Sequence, residues 1–208
     1  VSKPWTWAKD VGHLWRTTGD IRNNWNVPDA KDGKVWGGGV IIILDMQENL
    51  EKFSGPNGWN DPDMLEVGNG VLTQDEEIAH FSLWCMLSAP LMAGNDLRNM
   101  SENTIEILTN KEVIAINQDA LGKQGYKIKD EGQFEIFYKP LANDEIAVCL
   151  FNRKRTTIEK IINWEELSID TSYLARDLWA NKNLGAINNN IRFEIAGHGV
   201  VLLKLYKP

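Results

Sequence analysis

The segment Leu14-Trp15-Arg16-Thr17-Thr18-Gly19-Asp20 is a short extended stretch that leads directly into a carboxylate. Two later segments repeat this order: Gly58-Trp59-Asn60 precedes Asp61-Pro62-Asp63, and Pro90-Leu91-Met92-Ala93-Gly94 precedes Asn95-Asp96. Helical patterns lie between these segments, and extended pieces that alternate with helices predict βα units around a parallel sheet. Because the carboxyl ends of parallel strands share one face, the acids are predicted to meet on that face.

Capping signals define the clearest helix, which is predicted from Asp75 to about Ser88. Thr73 and Glu76 have the spacing of a capping box, in which each side chain binds the other residue's backbone N–H. Ala89-Pro90 ends the pattern, since the residue before a proline is biased away from helix. The apolar side chains recur at helical spacing, so one face of this helix is predicted to be buried.

The other elements of the first part are marked less clearly. A second helix is predicted over 101–108, with Ile105 and Leu108 facing inward. The brief extended candidates are Leu14–Thr17, Gly58–Asn60, Leu91–Ala93 and Val113–Ile116. The β-branched Val40–Leu44 favours a strand while the residues after it favour a helix, so local propensity leaves that segment open. Gly37-Gly38-Gly39 lacks the Lys and Ser/Thr of a phosphate loop and is interpreted as a flexible turn.

The pattern changes at Gly122-Lys123-Gln124-Gly125, after which apolar residues alternate with a period of two. Strands are predicted at Phe134–Tyr138, Ile146–Phe151, Thr156–Ile162, Asp177–Trp179, Ile191–Ile195 and Val200–Leu205. Turns are predicted at Pro140–Asp144, Asn181–Gly185 and Gly197–Gly199. We therefore expect an α/β domain over residues 1–122 and an all-β antiparallel sandwich over residues 123–208.

Composition narrows the function classes. The 208 residues are 43% hydrophobic and 25% charged, a balance typical of a soluble globular protein. The net charge of −7 argues against nucleic-acid and membrane partners, because both favour a basic surface. Cys85 and Cys149 stand alone, and no pair of histidines has ligand spacing, so neither a metal site nor a disulfide framework is expected.

Tryptophan and carboxylate placement makes carbohydrate chemistry a hypothesis. Of the nine tryptophans, seven precede residue 85, and indole faces suit the apolar faces of sugar rings. Acids on one face beside Trp and Arg suit polyol binding and acid–base work on a glycosidic bond. The alternative is that these residues have structural roles, since Trp is a common core residue and Asp after a strand is a common helix N-cap. From the residues alone, both readings stay open.

Four ordered motifs carry a specific resemblance. They are Trp15-Arg16-Thr17-Thr18-Gly19-Asp20-Ile21, Gly58-Trp59-Asn60-Asp61-Pro62-Asp63-Met64-Leu65, Ala89-Pro90-Leu91-Met92-Ala93-Gly94-Asn95-Asp96-Leu97-Arg98 and Val113-Ile114-Ala115-Ile116-Asn117-Gln118-Asp119. This set resembles the α-galactosidases of glycoside hydrolase family 27. The resemblance covers nearly the whole chain, since Asp177-Leu178-Trp179 and His198–Leu203 are similar to that family's C-terminal β domain.

The resemblance implies a fold and a reaction. The fold is a (β/α)8 TIM barrel followed by an antiparallel β-sandwich, with Val40–Glu51 helical. The reaction is a retaining hydrolysis of terminal α-linked galactose, in which one carboxylate attacks and a second acts as acid and then base. Relatives in the family act instead on α-N-acetylgalactosaminides or β-L-arabinopyranosides, and that choice stays open. Family members are secreted, periplasmic or lysosomal, and no cofactor or metal is implied.

The resemblance also assigns individual residues. Asp20 matches the catalytic acid/base, and that role needs a carboxyl that is protonated when the substrate binds. Arg16 and Asp63 match residues that contact hydroxyls of the terminal galactose. Met64 matches a residue at the pocket wall. Asp61 is interpreted as a turn residue rather than a site residue.

The chain departs from the family pattern in one large respect. The family's nucleophile lies in a Lys-x-Asp pattern and is followed by a Cys-Glu-Trp segment, and neither is present. The resemblance places Val1–Trp5 just after that region, so we expect roughly the last three of eight βα units plus the sandwich. The expected partner is the missing N-terminal half of the barrel, in the same parent chain or a second polypeptide. By itself the chain is expected to be inactive, and a non-catalytic carbohydrate-binding or structural remnant is the alternative.

Overall fold

The structure, a computed structural model, describes residues 3–187 and 190–208. We name residues 3–121 the α/β part and residues 126–208 the β part. The elements of the α/β part are β1 (Leu14–Arg16), β2 (Pro28–Lys31), β3 (Lys34–Gly38), α1 (Val40–Asp45), β4 (Trp59–Asp61), α2 (Gln74–Met86), α3 (Glu102–Leu108) and α4 (Lys111–Asn117). Those of the β part are β5 (Tyr126–Asp130), β6 (Phe134–Pro140), β7 (Ile146–Asn152), β8 (Ile158–Ile162), β9 (Leu174–Asp177), β10 (Lys182–Ala186), β11 (Ile191–Ile195) and β12 (Val200–Tyr206).

Parallel pairing organises the α/β part. β1 and β4 run parallel, with Arg16 opposite Asp61 at their carboxyl ends. Leu65 and Ala93 form a further parallel bridge, so the predicted extended piece Leu91–Ala93 lies beside Leu65 as an isolated contact rather than a strand. The sequence prediction of parallel extended segments separated by helices is therefore confirmed for these three pieces.

Helix α2 is the central element of the molecule. Its capping box is formed as predicted: Glu76 N donates to the Thr73 hydroxyl at 3.3 Å, and Thr73 N donates to Glu76 Oε2 at 2.8 Å. Ten of its residues are buried, because the α/β part covers one side and the β part covers the other. Among the helices of residues 3–187 and 190–208, none has the length and apolarity to cross a bilayer.

Two predictions about helices are wrong. Val113–Ile116 is helical and lies within α4. The side-chain oxygen Oδ1 of Asn110 caps this helix, since it accepts from the backbone N–H groups of Glu112 and Val113, both at 3.1 Å. A cap of this kind outweighs the β-branched propensity of the segment. In α3 the buried residues are Thr104 and Ile107, and Leu108 packs against the core as predicted. Ile105, in contrast, is 43% exposed and does not face inward.

The glycine triplet and the segment after it also differ from expectation. Gly37 and Gly38 belong to β3 rather than to a flexible turn, and Gly39 is the N-cap of α1. α1 ends at Asp45, so the implied helix over 40–51 is shorter than expected, and a 3-10 turn follows at Glu51–Phe53. In the β part, most of the predicted turn at 181–185 lies in β10.

The β part is built of two antiparallel sheets. The larger has the strand order β10-β9-β12-β7-β6-β5, and β11 pairs with β8 in the smaller. β7 is buried along its whole length. Since side chains alternate across a strand, Ile146, Val148 and Leu150 enter the core between the sheets. The alternate residues Ala147, Cys149 and Phe151 face the α/β part.

A polar seam joins the two parts. Lys139 on β6 is fully buried, and its ammonium donates to the Cys85 carbonyl at 2.9 Å and to the Ser88 hydroxyl at 2.7 Å at the end of α2. Asn60 Nδ2 donates to Gln124 Oε1 at 2.9 Å, which ties the linker to β4. At the start of α2, His198 Nδ1 lies 2.6 Å from Glu76 Oε1.

Because Lys139 is buried, the free energy of unfolding is expected to vary with pH in the alkaline range. Burial lowers the pKa of Lys139 to about 8. From pH 8 towards 10.5 the folded chain loses this proton before the unfolded chain does, so the free energy of unfolding rises with pH, by at most about 1.4 kcal/mol per pH unit. Urea unfolding of the wild type and of Lys139→Met at pH 7.5 and 9.5 measures this slope. The variant is expected to lack it, and equal slopes in the two proteins would contradict this placement of Lys139.

Candidate active site

Adjacent parallel strands bring the predicted site residues to one edge. Arg16 ends β1 and Asp61 ends β4, and the two are partners in the strand register. The loop after β1 carries Asp20, and the loop after β4 carries Asp63. The shared carboxyl end of the strands thus places Arg16 between the two loops.

Asp63 is the most constrained residue of the site. Its Oδ2 accepts from Arg16 Nη2 at 2.7 Å and from the backbone N–H of Ile21 at 2.8 Å. Its Oδ1 accepts from Met64 N at 2.8 Å. The backbone adopts a positive φ of 89°, which is unusual for a residue with a side chain. Because these contacts reach both loops, Asp63 fastens the segment after β1 to the segment after β4.

Two further contacts hold the strained backbone of Asp63. Its N–H donates to Asp61 Oδ1 at 2.8 Å, and its carbonyl accepts from the indole N–H of Trp84 at 2.8 Å. Trp84 is fully buried on α2. The link between Trp84 and the site is a long-range contact that no local sequence motif encodes. Asp61 serves as the turn residue that was predicted.

Arg16 contacts Asp63 more closely than Asp20. Its Nη2 donates to the Gly19 carbonyl at 2.7 Å and lies 3.5 Å from Asp20 Oδ1. The side chain is 39% exposed, and guanidinium stays cationic at any physiological pH. Arg16 Nε is buried without a hydrogen-bond partner among the described residues. The cation is therefore fixed by Asp63 on one side while it faces Asp20 on the other.

Asp20 has a fixed backbone and a largely exposed side chain. Its carbonyl accepts from Gly38 N at 3.1 Å, and a Cβ on Gly37 would lie only 2.6 Å from that carbonyl oxygen. The side chain itself is 62% exposed. A cavity at the seam is lined by residues such as Leu44, Tyr126 and Arg153, and Asp20 does not line it. The predicted acid/base therefore lies outside this cavity.

Of the remaining candidate residues, Met64 lies next to Asp63, whereas Asp96 and His80 lie apart from the site. Met64 follows Asp63, and its Sδ packs close to Gly94, where an added Cβ would lie 2.8 Å from it. Asp96, the acid after the third extended piece, pairs instead with Arg98 at 2.9 Å. His80 is fully buried, accepts from Glu66 N at 3.0 Å, and burial lowers its pKa to about 3. A neutral, enclosed imidazole has a structural role.

Comparison with known proteins identifies the arrangement. The family model for Alpha galactosidase A matches residues 2–119, and the model for the Alpha galactosidase C-terminal beta sandwich domain matches residues 131–205. The chain is 45% identical to Alpha-galactosidase A of Cellvibrio japonicus, covering 98% of this chain and 53% of that protein. It is 40% identical to Alpha-galactosidase 2 of Arabidopsis thaliana, covering 97% of this chain and 48% of that protein.

The solved structures agree with the sequence comparisons. The chain superposes on α-galactosidase I from Mortierella vinacea with a TM-score of 0.91 and 35% identity, covering 98% of this chain and 55% of that one. The α/β part therefore has the fold of the C-terminal portion of a (β/α)8 barrel, with an attached β-sandwich, as in glycoside hydrolases of this class. The chain belongs to the α-galactosidases of glycoside hydrolase family 27. It spans about half the length of the curated relatives that it matches.

The buried carboxyl of Asp61 gives a test of this geometry. Burial raises the pKa of Asp61, and the hydrogen bond from Asp63 N partly offsets that rise. Asp61→Asn keeps an acceptor for Asp63 N, whereas Asp61→Ala leaves that N–H unpaired and should lower the free energy of unfolding by about 1–2 kcal/mol. Since the raised pKa makes wild-type stability fall as pH increases from about 4, the Asn variant should gain relative to wild type between pH 4 and 7.

Urea unfolding at pH 4, 5.5 and 7 measures both effects. If the Ala variant is as stable as the Asn variant at pH 7, then Asp61 does not hold the backbone of Asp63.

Proposed function

We propose that this chain supplies the acid/base residue of a retaining glycoside hydrolase that releases terminal α-linked galactose. The attacking carboxylate is carried by another segment, which precedes this chain in the same polypeptide or belongs to a second one. The observation that carries the proposal is the Arg16 guanidinium, bound to Asp63 at 2.7 Å and 3.5 Å from Asp20. Family membership supports this assignment of roles.

Asp20 transfers the proton in both steps. In the first step the attacking carboxylate bonds to the anomeric carbon, the glycosidic C–O bond breaks, and the proton of Asp20 moves to the leaving oxygen. In the second step Asp20 takes a proton from water, whose oxygen displaces the enzyme carboxylate and forms free galactose. Retaining chemistry holds the two carboxyl groups about 5–5.5 Å apart. The 62% exposure of the Asp20 side chain leaves room for the second carboxyl group to approach.

Arg16 and Asp63 bind the sugar. An ionised carboxylate offers about four acceptor positions. Three positions on Asp63 are filled by Arg16, Ile21 N and Met64 N, so one on Oδ1 is open to a hydroxyl of the terminal sugar. The side chain is 14% exposed, which permits that contact. Met64 forms part of the wall beside it.

One observation favours a second candidate, a non-catalytic carbohydrate-binding or structural role. Asp20 is largely exposed and lies outside the seam cavity, as a residue would if the catalytic half had been lost. Purification of the native protein followed by mass spectrometry separates the two candidates. A copurifying or preceding segment with Lys-x-Asp and Cys-Glu-Trp patterns supports the hydrolase, and its absence from both places supports the binding role.

The acid/base assignment is tested in the complete enzyme, meaning this chain together with the segment that carries the nucleophile. Asp20→Asn keeps the size of the side chain but cannot transfer a proton, so kcat/KM for raffinose is expected to fall by roughly 10²–10⁴-fold. α-Galactosyl fluoride should be affected less in the first step, because fluoride leaves without protonation. Asp32→Asn is the matched control, since Asp32 is an exposed carboxylate at a positive-φ turn where Asn is tolerated. Near-normal raffinose hydrolysis by Asp20→Asn would overturn the assignment.

A further inference from the structure

The β2–β3 hairpin is attached to the loop that presents Asp20. Gly19 N donates to the Trp36 carbonyl at 2.6 Å, Gly38 N donates to the Asp20 carbonyl at 3.1 Å, and Arg22 N donates to the Gly38 carbonyl at 2.9 Å. These bonds flank Asp20 on both sides. The hairpin is therefore hydrogen-bonded directly to the backbone on both sides of the acid/base residue.

Close packing fixes the Trp36 indole against that loop. A Cβ on Gly19 would lie 2.1 Å from Trp36 Cε3 and 2.4 Å from the Trp36 carbonyl oxygen, so only glycine fits beneath the ring. The guanidinium carbon of Arg22 lies 6.0 Å from the ring centroid. Arg22 is in turn held by Asp29 of β2, with Nε 2.7 Å from Oδ2. The ring thus has a defined position one residue away from Asp20.

Despite this packing, the Trp36 side chain stays accessible. The residue is 39% exposed, and the Arg22 and Asp29 side chains beside it are 48% and 29% exposed. A fixed aromatic side chain beside an ion pair offers an apolar ring face a stacking partner and offers hydroxyl groups donors and acceptors. A pyranose presents both of these surfaces.

We infer that Trp36, with Arg22 and Asp29, forms the subsite for the sugar on the leaving side of the scissile bond. This inference rests on the proposed function, because Asp20 must protonate the oxygen that joins the two sugars. That oxygen belongs to the leaving saccharide, so the saccharide must lie on the Asp20 side, where the hairpin is. The ligand is the hexose attached to galactose in an oligosaccharide, and galactosides without a sugar leaving group do not use the subsite.

The test compares two substrates in the complete enzyme. Raffinose carries a saccharide leaving group, and α-galactosyl fluoride carries none. For Trp36→Ala the ratio of kcat/KM for raffinose to kcat/KM for the fluoride is expected to fall about tenfold, the size of one lost stacking contact. Trp36→Phe, which keeps an aromatic face, should retain most of the ratio. Val35→Ala, a neighbouring exposed position on β3, is the control and should leave the ratio unchanged.

The remaining outcomes are decisive as well. If Trp36→Ala does not fold, Trp36→Leu keeps bulk against Gly19 without an aromatic face and should show the same fall in the ratio. An equal loss on both substrates overturns the subsite, because Trp36 would then only support the loop of Asp20. An unchanged ratio overturns it too. If the wild type hydrolyses neither substrate, the proposed function is wrong and the subsite falls with it, and that failure is visible before any variant is made.

Discussion

The carboxylate of Asp63 is the contact on which the geometry of this edge of the sheet depends. It binds a side chain from β1, a backbone N–H from the loop after β1 and a backbone N–H from its own loop. Three charge-assisted bonds and two backbone bonds compensate for a positive φ that would be unfavourable in isolation. Because one group holds both loops, the position of Arg16 relative to Asp20 follows from the conformation of Asp63. The conformations of the loops after β1 and β4 are therefore coupled through a single residue.

Much of the fold could be read from the sequence where signals were local. The Thr73–Glu76 capping box, the alternating strand at 191–195 and the hairpin of β6 and β7 all lie as predicted. The prediction for Val113–Ile116 was wrong because the side chain of Asn110, the N-cap residue directly before α4, outweighed β-branched propensity. Gly37 and Gly38 are in a strand because they pair with β2. They are glycines because Asp20 and Val27 approach them too closely for any side chain, which is a tertiary constraint.

For the candidate site, too, the positions of the residues were predictable from the sequence and their contacts were not. The order of Arg16, Asp20 and Asp63 along the chain, each at or after a strand end, was enough to expect them on one edge. Their bonding was not predictable, since the sequence does not reveal that Asp63 accepts from Ile21 N or that Trp84 reaches its carbonyl from α2. The exposure of Asp20 was also beyond the sequence, because it depends on which elements cover the loop. Periodicity locates a strand end, but only the packed fold shows what lies against it.

The polar seam bears on how far the two parts can be exchanged between proteins. Gly122, Gln124 and Gly125 of the connecting segment are buried, and Gln124 is bound to Asn60, one residue before Asp61. Lys139 needs the carbonyl and hydroxyl oxygens at the end of α2, and without them it would be an uncompensated buried cation. The β-sandwich is therefore not an independent module joined to the α/β part by a flexible linker. Recombination that moved it to a foreign barrel would have to transfer Asn60 and Ser88 with it, so the two halves of this joint are expected to be inherited together.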